Sequence, residues 1–309
     1  MRHVFGPVPS RRLGPVLGID LVPHKICTFD CRYCDLGHTT RKTVTREVFY
    51  PPEEILAECE AWLKDNDPSA IRYVSICGSG EPTLYQGLGT VVGGLKRLTE
   101  TPLALVTNGA LLGRREVQEE LRGVDLVLPS LDTVNEAVFK VLNRPAPSLD
   151  VRGIVSGLEE FRRAFAGRIW LEICLCRGIN DAPSDLERLR DALERIRPDR
   201  VQLNTPVRAP CEDVAYPLSE VQMEMARGIL GPGAEIIESY RGGGPAYGSA
   251  LDEENLLEIL RRHPATRSEL KEFFPAMEAS IDALIAHLVR KGSIYSVKHR
   301  GRSYYRAKG

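Results

Sequence analysis

Cys27, Cys31 and Cys34 stand in the stretch CTFDCRYCDLG, separated by three and then two residues. Three thiols this close, with no fourth, imply either a metal centre with three protein ligands or a group of inert buried thiols. A structural zinc site normally takes four ligands, often as two separated pairs, and only His24 and His38 flank this set. An iron–sulfur cluster ordinarily takes one thiolate on each iron. Three thiolates on a four-iron cluster leave one iron open to a chelating small molecule. The spacing admits all of these readings, and residues elsewhere must separate them.

Other polar groups stand where apolar, strand-like runs end. IRYVSIC runs into GSGEPTL, where Gly78 and Gly80 let backbone amides approach a ligand closely, Ser79 lies between them and Glu81 adds an acceptor. LALVT ends in Thr107, Asn108 and Gly109, and DLVL ends in PSLD with Ser130 and Asp132. Small polar residues in these places suit sugar hydroxyls, and they are equally ordinary as helix caps. IWLEICLC carries Glu172 inside an apolar run and leads to Arg177–Asp181, while RVQL carries Gln202 and leads to NTPVRAP with Arg208. Polar residues within buried strands require partners. In open and barrel-like α/β sheets, functional groups gather at strand C-terminal ends.

The CxxxCxxC spacing with Tyr33 before its last cysteine resembles the radical S-adenosylmethionine enzymes. That resemblance implies a [4Fe–4S] cluster on Cys27, Cys31 and Cys34, with S-adenosylmethionine chelating the open iron. Reductive cleavage of that molecule then yields a 5′-deoxyadenosyl radical, which abstracts hydrogen from a substrate. It also implies that Gly78, Ser79, Gly80 and Glu81 hold the amino group of the methionine part and that Tyr33 lies near the adenine; Ser130 and Asp132, with Thr107 and Asn108, are then suited either to the ribose or to capping helices. A one-electron donor such as flavodoxin or ferredoxin is the implied partner. The resemblance spans roughly residues 4–240 and narrows through FGPVPSRRLGPVLGIDLVP, GSGEPTL, SLD, NRP, GIND and QLNTPVRAP. Together these look like the Fe–S oxidoreductases related to the enzyme that forms the tricyclic wyosine base in transfer RNA. Two departures stand out: no cysteine precedes Cys27 to hold a second cluster, and no lysine is matched to the Schiff-base lysine of those enzymes.

Five cysteines remain. Cys174 and Cys176 alternate along one strand and so face one side; with Cys211 they form either a second metal or redox set or ordinary core. Cys59 falls on the apolar face of a helix, and Cys77 at a strand end beside the cofactor motif. Ser10, Arg11 and Arg12 place two guanidiniums upstream of the cysteine loop, suited to a phosphate or carboxylate, or to solvent.

The elements that must position these groups alternate. Strands are expected at Leu17–Val22, Ile71–Cys77, Leu103–Thr107, Asp125–Leu128, Ile169–Leu175 and Arg200–Leu203, with a weaker seventh at Ala234–Ile237. Helical spacing marks Pro52–Lys64, Val151–Phe165 and Asp185–Arg197 between them. This alternation predicts an α/β fold with a parallel sheet, and the resemblance makes it a partial (β/α)6 barrel over residues 1–240. A Gly-rich linker at 241–251 follows. Residues 252–309 then show helices at Glu254–Arg262, Ser268–Phe274 and Glu278–Lys291, and two strands around a turn at His299-Arg300-Gly301-Arg302. Three helices and a hairpin make a winged helix-turn-helix pattern.

The net charge of −1 hides an asymmetry, since Arg290–Gly309 holds seven Lys or Arg and no acid. Such a hairpin suits contact with RNA or another nucleic acid, while the candidate recognition helix is mostly apolar, and a winged domain can equally grip protein or act as a scaffold. No apolar run approaches the ~20 residues needed to cross a bilayer, and the N-terminus has no signal-like core. The expectation is a cytoplasmic enzyme without a membrane partner. Modification of RNA is its first expected activity and modification of a protein or peptide its second. Two further readings stay open: a cluster-bearing DNA-binding sensor and a zinc-stabilised interaction protein.

Overall fold

The computed structural model describes residues 2–208, 210–212, 215–237, 252–274, 277–299 and 301–308. The segment 241–251 expected to be a linker lies outside them. An antiparallel pair, β1 (Val4–Ser10) and β2 (Gly14–Ile19), comes first. The two-residue strands β3 (Ile26–Cys27) and β4 (Arg41–Lys42) bracket the cysteine loop. Then follow α1 (Pro52–Asp65), β5 (Tyr73–Ile76), α2 (Leu88–Leu98), β6 (Leu103–Thr107), α3 (Arg115–Glu120) and β7 (Leu126–Pro129). The series closes with α4 (Glu136–Leu142), α5 (Val151–Ala164), β8 (Arg168–Cys174), α6 (Pro183–Ile196), β9 (Arg200–Asn204), α7 (Glu220–Leu230) and β10 (Ala234–Ile236).

One sheet of eight strands runs in the order β1-β2-β5-β6-β7-β8-β9-β10. Every pairing after β1 is parallel. The six expected strands and the weaker seventh are thus β2 and β5–β10, with ends shifted by up to three residues. This is an α/β fold with a mostly parallel sheet, consistent with a partial barrel. The sequence reading did not foresee β1. VFGPVPS holds two prolines, which bar a strand from a sheet's centre but not from its edge, and the register shifts between Phe5 and Val8.

Side-chain alternation divides the sheet into two faces. Leu17, Leu103, Leu105, Val127, Ile169 and Leu171 join the main core with the apolar faces of α1, α2, α5 and α6. Their neighbours Val16, Ala104, Leu126, Leu128 and Trp170 form a separate cluster with Phe5, Val8 and Leu13. Several of these apolar residues also line the cavity described below. Phe5, Val8 and Leu13 of the N-terminal hairpin therefore pack on the cavity-facing side of the sheet.

The C-terminal residues build a second core from Leu256, Ile259, Leu260, Leu270, Phe274, Ile281, Ile285, Leu288 and Ile294. Its elements are α8 (Glu253–Arg262), β11 (Ala265–Thr266), α9 (Arg267–Phe273), α10 (Glu278–Lys291), β12 (Ile294–His299) and β13 (Arg302–Ala307). The expected helices are present with ends shifted by at most one residue. The two residues of β11 are too short for a pattern, yet they add a third strand in the order β11-β13-β12. Thr266 and Glu269 close a capping box at the start of α9, satisfying amides that a short helix would otherwise leave open. This part bonds back onto the sheet through Arg262 to Asp20, Arg208 to His263, and the Tyr304 hydroxyl to the Val207 carbonyl. Among the described residues, no helix is long and apolar enough to cross a membrane.

Candidate active site

The cysteine loop leaves β3 and is clamped from two directions. Asp30 N and Arg32 N donate to the carbonyls of Asn143 and Leu142 at 3.0 and 2.9 Å. From the other side the Cys211 thiol donates to the carbonyls of Cys31 and Arg32 at 3.2 and 3.1 Å, and Arg144 pairs with Glu212 at 2.5 Å. Cys211 thus supports the loop's backbone and stands apart from Cys174 and Cys176. Those two are buried and share a hydrogen bond. Among the described residues, no three His, Cys, Asp or Glu side chains converge closely enough to hold a single metal ion.

Each sulfur of the loop faces a side-chain N–H donor, and Cys27 also takes the backbone amide of Phe29. Lys25 Nζ lies 3.0 Å from Cys34 Sγ, and the amides of Asn108 and Asn143 lie 3.5 Å from Cys27 and Cys31 respectively. Lys25 is buried, so its charge acts on Cys34 with little screening. Burial pushes the Cys27 thiol up to about 12, with the Glu81 carboxylate adding to the shift, and it raises Cys31 as well. Thiolates in such surroundings require a cation, which a metal centre supplies. Soft sulfur ligands with N–H donors on each suit an iron–sulfur cluster. The residues present therefore fit that group.

The GSGE turn is fastened to the same loop. Lys25 N donates to Ser79 O at 2.7 Å, and Glu81 N donates to Ile26 O at 3.0 Å. Gly80 has no room for a side chain, because a Cβ there would stand 2.1 Å from the Ile26 carbonyl oxygen. Gly80→Ala is expected to push the turn off the cysteine loop and cost about 1–3 kcal/mol, read as a lowered thermal midpoint together with reduced iron content after reconstitution. Glu81 is buried and organises its surroundings. It accepts from Thr83 Oγ1 and Thr107 Oγ1 at 2.5 Å each and from Asn108 N at 2.8 Å. Burial raises its pKa, while these donors act against the shift.

A cavity of about 390 Å³ opens in front of these groups, a size typical of small-molecule sites. Cys27, Cys34, Tyr33, Gly78, Gly80, Glu81, Thr107, Asn108 and Ser130 line it. Cys31, Ser79 and Asp132 do not line it. Ser79 donates from its amide and hydroxyl to Asp20. Asp132, expected to serve a ribose, spends both oxygens internally: it accepts from the Tyr33 hydroxyl and Asn143 Nδ2 at 2.6 Å each and from Cys174 N at 2.8 Å. Burial pushes its carboxyl up to about 6. It therefore orients Tyr33 and Asn143, both beside the cysteines. Glu172 meets Arg12 at 3.0 Å and Asn204 at 2.9 Å.

Lys25, Asn143, Asp20, Arg262 and His263 belong to this neighbourhood without having been picked out as individual site residues from the sequence. For Lys25 a signal existed, two positions before Cys27. Arg262 lies 242 residues from Asp20, and nothing local points from one to the other.

A family model described as the Radical SAM superfamily matches residues 21–193. The chain is 32% identical over 312 residues to a UPF0026 protein of Methanocaldococcus jannaschii, covering 99% of this chain and 96% of that protein. It is 36% identical over 296 residues to a Brachyspira hyodysenteriae protein named GTPase Obg; the match takes in 95% of this chain but only 43% of that protein's length. Among solved structures, TYW1 with a lysine–pyruvate adduct bound superposes with a TM-score of 0.52 at 16% identity, over 70% of this chain and 72% of that one. That likeness is one of fold. With more than half its length matched, and with a three-cysteine loop and a glycine turn meeting beside one cavity, the chain belongs to the radical SAM superfamily, enzymes that bind a [4Fe–4S] cluster and S-adenosylmethionine.

Proposed function

We propose that Cys27, Cys31 and Cys34 hold the cluster and that the adjoining cavity receives S-adenosylmethionine and part of a larger substrate. The supporting observation is that Cys27 and Cys34 open onto the same cavity as Gly78, Gly80, Glu81, Thr107, Asn108 and Ser130. When bound there, the group's chemistry is one-electron reductive cleavage of S-adenosylmethionine to a 5′-deoxyadenosyl radical, which takes a hydrogen atom from the substrate. The chain's own residues bind, orient and shield. Lys25, Asn108 and Asn143 direct N–H groups at the three sulfurs. The Gly78–Glu81 turn offers backbone close to the cofactor, and the inner apolar face limits water around a reactive centre. An electron donor such as flavodoxin or ferredoxin completes the reaction.

RNA is the substrate class favoured here. Residues 252–309 are read as a winged-helix module, on the order of its helices and the sheet β11-β13-β12. Its hairpin exposes Lys298, Arg302 and Lys308, charges that neutralise phosphates. The test is anaerobic reconstitution with iron and sulfide, followed by dithionite and S-adenosylmethionine. Release of 5′-deoxyadenosine is expected; a colourless protein, or one that holds iron and never cleaves the cofactor, overturns the reading. Total RNA from a strain lacking the gene, compared by mass spectrometry of its nucleosides, then tests the substrate class.

A further inference from the structure

Four cations from three distant parts of the chain meet on one wall of the cavity. Arg11 and Arg12 come from the turn between β1 and β2, Arg208 from the loop after β9, and Arg262 with its neighbour His263 from the end of α8. Three of the four arginines have counter-ions. Arg12 pairs with Glu172 at 3.0 Å, Arg208 with Asp35 at 3.3 Å, and Arg262 with Asp20 at 2.8 Å. Arg11 has no ion pair or hydrogen bond among the described residues. It is only partly exposed, and its pKa is lowered first by burial and then by Arg208 and Arg12.

Holding a guanidinium in such a place is costly unless an anion arrives. Its neighbours are arranged so as not to satisfy it. His263 Nε2 lies 2.6 Å from Arg208 Nη2. Burial and the nearby arginines hold this imidazole well below its usual pKa, so it stays neutral and accepts. Arg208 Nε is buried with no hydrogen-bond partner. A guanidinium in excess, with a further N–H unmet beside it, makes a receptor for a planar or tetrahedral oxyanion.

We propose that Arg11 and Arg208, backed by Arg12, bind an oxyanion carried by the substrate, a phosphate or a carboxylate, at the mouth of the cavity. This anchors the substrate's reacting carbon in the cavity between the cation wall and the cysteine loop. Because His263 belongs to the C-terminal part, the receptor is complete only when that part is docked on the sheet. The inference deepens the radical-enzyme reading and takes from it only the identity of the cavity.

The test is calorimetric titration of the full, cluster-reconstituted chain with inorganic pyrophosphate in one arm and succinate in the other, each with and without S-adenosylmethionine. Saturable binding is expected in at least one arm, and the arm that binds more tightly assigns phosphate or carboxylate. Arg11→Gln should weaken that binding about tenfold or more, as loss of a charge-assisted contact does. Arg11→Lys, which keeps the charge and loses the fork, should fall between them. Arg115→Gln, on the exposed side of α3, should leave binding unchanged. The proposal is overturned if neither probe saturates, if Arg11→Gln binds as well as the parent, or if S-adenosylmethionine displaces the probe, which would make the wall its own carboxylate site. Calorimetry needs no turnover. Failure here leaves 5′-deoxyadenosine release standing, and failure of that release leaves anion binding standing.

Discussion

Cys34→Ala is expected to lose most of its bound iron and to release no 5′-deoxyadenosine above the background without enzyme. Two thiolates cannot replace three on a four-iron cluster, which takes one ligand per iron. The substitution also leaves the buried Lys25 ammonium, 3.0 Å from the missing sulfur, without the anion it faces. Cys27→Ala and Cys31→Ala should behave alike, although the amides of Asn108 and Asn143 keep their bonds to Thr28 Oγ1 and Asp132 Oδ2. The contrast lies with the other cysteines. Cys59→Ala removes a buried thiol from the face of α1, and Cys174→Ala and Cys176→Ala remove thiols packed beside Tyr33; all three should keep the parent's iron content per chain, with some loss of stability. Cys211→Ala removes the one thiol donor that lies between two of the loop's carbonyls; it should still load iron and lose it faster to a chelator. Iron and sulfide analysis of the purified variants separates the two groups. Equal iron loss in Cys174→Ala and Cys34→Ala would contradict the assignment.

The strands that position this site were readable because burial on both faces leaves unbroken apolar runs. LALVT became β6 with the expected ends, and EASIDALIAHLVRK became α10 likewise. Where local chemistry and tertiary setting disagree, the pattern falls short. In β1, Pro7 and Pro9 read as breaks, yet the chain is an edge strand there and needs few amides for its ladder. Asp132 shows the same limit at the site. A carboxylate at a strand end has one appearance in sequence whether it faces a ligand or its own scaffold. Only the approach of Tyr33, 99 residues away, shows that this one faces inward. Ser79 is a similar case, turned toward Asp20 rather than the cavity. The cysteine loop was legible because three thiols and their spacing lie within one short stretch. The donors that tune them were not, since Asn108 comes from the end of β6 and Asn143 from the end of α4. The cation wall shares that property, for its members meet only in the folded chain.

Arg262→Ala should be the most damaging change outside the cysteine loop. Arg262 and Asp20 form an ion pair whose side chains are 8% and 5% exposed, so removing the guanidinium leaves a carboxylate buried without its cation. Breaking one side of such a pair typically costs about 3–5 kcal/mol. Arg262 also donates to the Arg2 carbonyl at 2.6 Å, bonds to Glu258 and lies over the Phe5 ring, and alanine would remove all of these. The effect should reach the cofactor turn through one shared acceptor. Asp20 Oδ2 receives both Arg262 Nε and Ser79 Oγ, and a Cβ on Gly78 would stand 2.4 Å from the Asp20 carboxyl carbon. Without its cation Asp20 loses a partner that fixes its orientation, and its movement shifts the turn that leads to Glu81. Arg262→Ala is therefore expected to lower the melting temperature and weaken S-adenosylmethionine binding. A second variant separates lost charge from lost packing. Arg262→Met combined with Asp20→Asn removes both charges and keeps most of the volume, so it should recover a large part of the stability, as neutral replacements of buried pairs often do. A double-mutant cycle over these two positions should show coupling well above the ~0.5 kcal/mol seen between independent sites. Additive effects would mean that the C-terminal part is held to the sheet by other contacts and that Asp20 is fixed by Ser79 alone.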